Sequence, residues 1–184
     1  VQPAGVGLER WTGIGGSDLV DLTSDSHFQN DAPDFVDTLA QLNVPDAGMG
    51  SFGQRLTAVL VPSVSGEYII GLTSDDESEC FFSITGASGD ATSIAMFNGW
   101  TSYQNWSSAE ESVPLQLEAG HAYSIEILHK EGGGGDHVSL GWKLSSGGAY
   151  ALIPASDLYQ GYLGLEETKP TFGSHATEYL IAGA

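Results

Sequence analysis

The chain has 184 residues, with 5 Lys or Arg against 24 Asp or Glu, a formal net charge of −19 and a pI near 4.1. That length suits one domain of ~100–200 residues, or a domain and a tail, and 4 Trp, 7 Tyr and 7 Phe exclude a disordered acidic segment. So few bases exclude nucleic acid as a partner, disfavour anionic membrane surfaces, and leave a surplus of carboxylates that attracts cations.

In chain order, short apolar runs are separated by glycine-rich turns, the pattern of an all-β domain. Residues 55–61 read as a strand stopped by Pro62, and Ser65-Gly66 as a turn. Residues 67–72 follow as a strand with Tyr68, Ile70 and Leu72 on one face, and residues 80–84 as the next. Residues 112–117, 121–129 and 138–142 alternate in the same way, with Val113, Leu115 and Leu117, then Tyr123, Ile125 and Ile127, then Val138, Leu140 and Trp142 in phase. The best helix candidate is residues 37–42, about one turn. The expected fold class is therefore all-β, an antiparallel β-sandwich with long loops at one end. The loops are residues 13–54, 86–111 and 130–136. We expect one domain over 1–163 and a linker or tail over 164–184. No run reaches the ~18 apolar residues of a transmembrane helix, and the opening Val1-Gln2-Pro3 reads as a piece cut from something longer. The single Cys80 lies in an apolar run and is expected as a small buried hydrophobe.

Two acidic stretches could carry chemistry. Asp75-Asp76-Glu77 closes one strand, and Gly132-Gly133-Gly134-Gly135-Asp136 separates two others. Adjacent carboxylates repel unless a cation lies between them, and calcium takes six to eight oxygens from carboxylates and backbone carbonyls. A calcium site of Asp75, Asp76, Asp136 and glycine-loop carbonyls is one reading, and a solvated acidic turn beside a flexible glycine hairpin is the other. Paired carboxylates also serve glycosidases, but nothing beyond residue type supports that here, no Gly-x-Ser-x-Gly elbow occurs, and the five His are singly spaced without a zinc pattern. We expect no enzymatic activity. Phe97, Trp100, Tyr103 and Trp106 cluster in one loop, where they either pin it or offer a face for a sugar to stack on. Asp21, Asp25, Asp31 and Asp34 read as a solvated acidic loop, with a structural calcium as the alternative.

Longer segments are more specific. Arg10-Trp11-Thr12-Gly13, Gly53-Gln54-Arg55-Leu56, Pro62-Ser63-Val64-Ser65-Gly66-Glu67-Tyr68 and Thr73-Ser74-Asp75-Asp76-Glu77-Ser78-Glu79 occur in this order. Gly99-Trp100-Thr101, Leu117-Glu118-Ala119-Gly120, His129-Lys130-Glu131-Gly132-Gly133-Gly134-Gly135-Asp136 and Leu140-Gly141-Trp142 follow. Over residues 7–162 the chain resembles the PA-fourteen domain, the β-sandwich module named after the anthrax protective antigen. That resemblance implies a calcium ion held by consecutive aspartates joined by a cis peptide, which Asp75 and Asp76 match. It implies Asp136 as a further side-chain ligand and Gly133 and Gly135 as carbonyl ligands. Where some bacterial members carry a side-chain amide this chain has Gly133, so Glu131 is the alternative ligand.

The function this implies is a calcium-dependent lectin module of a large bacterial cell-surface adhesin, acting in cell adhesion or biofilm outside the cell. It would bind vicinal hydroxyls of a terminal fucose, glucose or mannose, with Trp100, Glu131 and His137 on the rim, as a monomeric module of a longer chain without membrane insertion. The alternatives are an accessory module of a secreted glycoside hydrolase and a spacer domain that binds no sugar.

Overall fold

A computed structural model describes residues 4–86 and 88–161, so the expected tail over 164–184 lies outside the described residues. The elements are β1 (Val6–Thr12), α1 (Leu19–Thr23), α2 (Ser26–Gln29), β2 (Phe35–Leu39), β3 (Asn43–Val44), β4 (Phe52–Leu60), β5 (Gly66–Ser74), β6 (Ser78–Ser83), β7 (Thr92–Phe97), β8 (Glu110–Glu111), β9 (Leu115–Leu117), β10 (Tyr123–Glu131), β11 (Val138–Leu144), β12 (Ala151–Leu152) and β13 (Leu158–Tyr159). They form two antiparallel sheets. The first runs β2-β1-β4-β10-β6-β7 with β13 also on β4; the second runs β12-β11-β5-β8 with β3 on β11 and β9 on β5.

The alternating apolar positions meet between the sheets as expected. Leu56, Ile125, Ile127, Cys80 and Phe82 from one sheet pack with Tyr68, Ile70, Leu72, Leu117, Val138 and Leu140 from the other. Cys80 is a free, fully buried thiol whose ionisation burial pushes up, so it is inert packing.

The segment 13–54, expected as loop, is instead built. Asp25 accepts from the N–H of His27 at 2.8 Å and of Phe28 at 3.3 Å and so starts α2, while the Asp18 N–H donates to Asp21 at 3.2 Å at the start of α1. These two short helices lay Leu19, Leu22 and Phe28 over Trp11 and Leu128 as a second apolar cluster on the outer face of the first sheet. The fit is tight: a Cβ on Gly53 would lie 2.3 Å from the Leu22 Cδ1 atom. This layer is why β4 and β10 are buried nearly throughout, on both faces.

The helix expected over 37–42 is absent. Residues 35–39 pair with β1, Val6 opposite Leu39 and Arg10 opposite Phe35. A one-turn helix forms one or two hydrogen bonds after a costly nucleation, whereas the free edge of β1 offers a full ladder. The four aspartates Asp21, Asp25, Asp31 and Asp34 are not gathered around a common point. Two cap helices, Asp31 pairs with Arg55 at 2.5 Å, and Asp34 accepts from Thr12 N–H at 2.7 Å.

Two of the four passages of the chain between the sheets at one end carry the acidic stretches. β5 passes to β6 through residues 75–77, and β10 to β11 through residues 132–137. Val138 pairs with Ser74, His129 with Ser78, and Glu131 with Phe52, so both crossings and the ends of β3 and β4 share that end.

Candidate metal centre

The two crossings bring together residues far apart in sequence. The Asp75–Asp76 peptide is cis. The Asp75 N–H donates to the His137 carbonyl at 2.9 Å, and the Gly132 N–H donates to Asp76 Oδ2 at 3.0 Å across 56 residues of sequence. Asp75, Asp76 and Glu131 each offer a carboxylate oxygen, and these oxygens lie within 4.8 Å of one another, the only such group of His, Cys, Asp and Glu among the described residues.

Glu131 is the informative member. Inward-facing positions of β10 run Tyr123, Ile125, Ile127, so the same phase carries His129 and Glu131 between the sheets. Glu131 is fully buried, and neither carboxylate oxygen has a hydrogen-bond partner. Burial, then the charges of Asp76 and Asp75, push its carboxyl up to about 7; burial and Asp76 likewise raise Asp75. A buried carboxylate without donors is costly unless a cation completes it. Three hard oxygen donors at one point suit calcium or another oxygen-seeking dication.

Asp136 is placed differently from the expectation. Both its oxygens accept backbone N–H groups, Ala47 at 2.5 Å and Met49 at 2.6 Å. Burial pushes Asp136 up, but these donors outweigh it and hold the carboxyl below its ordinary value. It therefore anchors loop 45–51 and does not join the three gathered carboxylates. Gly135 lies hard against Asp75, since a Cβ there would collide with the Asp75 carboxylate, while Gly133 stands in the open part of the loop.

The rim also departs from expectation. His137 is 2 % exposed, with Nε2 2.9 Å from the Thr101 carbonyl, because the loop carrying Trp100 folds over it. It is thus a support beneath the rim. Trp100 is 68 % exposed, and its neighbour Thr101 donates its N–H to the Ser74 carbonyl at 2.8 Å, one residue before the aspartate pair. Trp106 pins the loop, stacked on Tyr150 at 5.4 Å.

Four further residues escaped the sequence reading. Asp46 lies beside Gly135 and raises Asp75 by its charge. Lys130, on the opposite face of β10 from Glu131, is fully buried and donates to the carbonyls of Ile14 at 2.8 Å, Gly16 at 2.6 Å and Glu131 at 2.7 Å. Gln54 and His129, both fully buried, meet at 2.8 Å. Extending the inward period-two phase of β10 to its end would have placed His129 beside Glu131, and the opposite phase would have carried Lys130; nothing local marks Asp46.

Fold and site define a two-sheet antiparallel sandwich with an acidic site at its inter-sheet crossings. The PA14 domain family model matches residues 17–156, and the chain belongs to that family. It is 30 % identical over 100 residues to mouse N-acetyl-beta-glucosaminyl-glycoprotein 4-beta-N-acetylgalactosaminyltransferase 1, a match over 50 % of this chain and 10 % of that protein. The chain thus spans about a tenth or less of the curated relatives it matches. Among solved structures it is similar to a PA14 sugar-binding domain from an RTX adhesin, with a TM-score of 0.65 at 14 % identity, covering 86 % of this chain and 99 % of that one. It is also similar to the A domain of Epithelial Adhesin 6 from Candida glabrata, solved with Galb1-3GlcNAc, with a TM-score of 0.63 at 16 % identity, covering 92 % and 95 %.

Proposed function

We propose that the chain is a calcium-dependent carbohydrate-binding module of an extracellular adhesin, and not an enzyme. The observation that carries this reading is the buried, partnerless Glu131 carboxylate aimed at Asp75 and Asp76. These three side chains, with backbone carbonyls of Gly133 and Gly135, would hold the ion. Calcium bound there supplies coordination positions that vicinal sugar hydroxyls can take in place of water. The exposed Trp100 ring beside the aspartate turn would stack on the apolar face of a terminal sugar of the fucose, glucose or mannose type. One diol replacing two waters gives a small net gain, so monosaccharide affinity is expected on the order of 10⁻⁴–10⁻³ M, and multiple copies would raise avidity.

The test is a glycan array read with millimolar calcium and with chelator, together with thermal melts in the same buffers. A calcium concentration of ~100 times Kd adds ~2.7 kcal/mol to native stability. Wild type should melt several degrees higher in calcium, and Asp76→Ala should lose that gain and all glycan binding together. Identical melts for wild type would remove calcium from the reading. The glycosyltransferase relative favours a second reading, in which the module serves a carbohydrate-active enzyme as an accessory domain; a catalytic domain on the same polypeptide would decide for it.

A further inference from the structure

Behind the aspartate turn lies a buried hydrogen-bond chain whose direction chemistry dictates. The Arg10 guanidinium can only donate, so the Gln54 atom it meets, at 3.2 Å from Nε and 2.9 Å from Nη2, is the carbonyl oxygen Oε1. The Gln54 amide nitrogen, itself a pure donor, then faces His129 Nδ1 at 2.8 Å, so that ring nitrogen accepts. The proton of the neutral imidazole therefore sits on Nε2, which lies 2.7 Å from the backbone carbonyl of Asp75 and donates to it. Gln54 and His129 are fully buried, and Phe52 packs edge-on to the imidazole at 5.9 Å, so no water is needed to complete the chain. The next carbonyl, of Asp76, accepts from Ser74 Oγ at 2.7 Å. Both carbonyls of the pair are thus held from behind, while the two carboxylates project toward Glu131.

We infer that Arg10, Gln54 and His129 form a polarised positioning relay that orients the Asp75–Asp76 backbone for the metal centre, with His129 locked as the Nε2–H tautomer. This rests on the reading of Asp75, Asp76 and Glu131 as calcium ligands. His129 and Gln54 are positioning residues and touch no ligand. The sequence places them in different strands, β10 and β4, brought opposite each other by the pairing of His129 with Gln54.

The experiment has two arms. Imidazole ¹⁵N spectra of the chelator-treated wild-type domain should show His129 with a protonated Nε2 and an unprotonated Nδ1; the opposite tautomer would overturn the relay, whatever calcium does. Calcium titration by calorimetry then compares wild type with His129→Gln and His129→Met. The Gln side chain can place an N–H where Nε2 stood, and the Met side chain fills the space without a donor. Calcium affinity should stay within about threefold of wild type in His129→Gln and fall at least tenfold in His129→Met. Equal affinities in both variants would reduce His129 to packing and sink the inference. Should His129→Met fail to fold, Gln54→Met, one step further from the turn, is read for the same tenfold loss and for mixing of the two His129 tautomers. If wild type takes up no calcium at all, the calcium reading fails, and the tautomer arm still decides the relay.

Discussion

At the level of single residues, Glu131 makes a prediction with two signs. Above pH 7 its buried carboxylate is charged and has no donor, which penalises the metal-free fold. Glu131→Gln should therefore raise the melting temperature in chelator by about 2–4 °C, the shift ~1 kcal/mol produces in a domain of this size. The same variant should weaken calcium binding at least tenfold. A variant that lowers stability in chelator would show that the carboxylate has a partner in the metal-free fold. His129 gives the pH dependence. Burial lowers its pKa from 6.5 to about 4. As pH falls through 6.5 the unfolded chain takes a proton that the native imidazole refuses, so stability is lost between pH 6.5 and 4 and the loss is complete below 4. At 1.36 kcal/mol per pKa unit, the loss is on the order of 3 kcal/mol. Denaturant unfolding in chelator at pH 7 and pH 4.5 should show wild type losing more than His129→Gln, which cannot titrate; parallel losses would place the imidazole in contact with water.

Among the elements, β10 connects the two halves of the site. Its inward residues feed the metal centre, and its outward Lys130 gathers three carbonyls, two of them from the segment that leads into α1. Lys130→Met would leave those buried acceptors without a donor, at a cost of about 2–4 kcal/mol, since each orphaned group costs roughly 1–3 kcal/mol and part of the segment can relax toward water. Urea unfolding measures the total. Hydrogen exchange should show the added opening in α1, with β5 and β11 unchanged; uniform loss across both sheets would mean that Lys130 supports the core rather than the helical layer. The contact of Gly53 with Leu22 makes the same layer sensitive from the other side, because a Cβ at Gly53 displaces α1.

On the scale of the molecule, charge dominates. Of the basic residues within the described region, Arg55 pairs with Glu9 and Asp31, Lys143 pairs with Glu111, Lys130 is buried under carbonyls, and Arg10 is committed to Gln54. The fifth, Lys169, lies outside the described residues. A chain of net charge −19 with its described bases so engaged repels itself at low ionic strength. The Debye length falls from about 30 Å at 0.01 M salt to about 10 Å at 0.1 M, so the melting temperature in chelator should rise steadily with sodium chloride over that range and beyond. A flat or falling curve would show that surface repulsion is negligible. The same field disfavours anionic glycans relative to neutral ones on the array.

The sandwich was legible in the sequence because alternation with period two is local: Tyr68, Ile70 and Leu72, or Tyr123, Ile125 and Ile127, face one side of a strand whatever the rest of the chain does. The aspartate pair and glycine loop were legible as residue types, and the longer segments around them as a family pattern. Glu131 was legible as an alternative ligand, but its place beside Asp75 and Asp76 was not. Only the pairing of β10 with β4 and β6, and the two crossings with the acidic stretches, carry Glu131 to Asp75 and Asp76 and turn Asp136 toward Ala47 and Met49. The helices over 19–29 and the strand over 35–39 were decided in the same way, by apolar surface and a free edge that β1, β4 and β10 present only after they have paired. Local propensity could say what each segment tolerates; long-range pairing decided which carboxylates share a point in space, because that depends on strand partners tens of residues away.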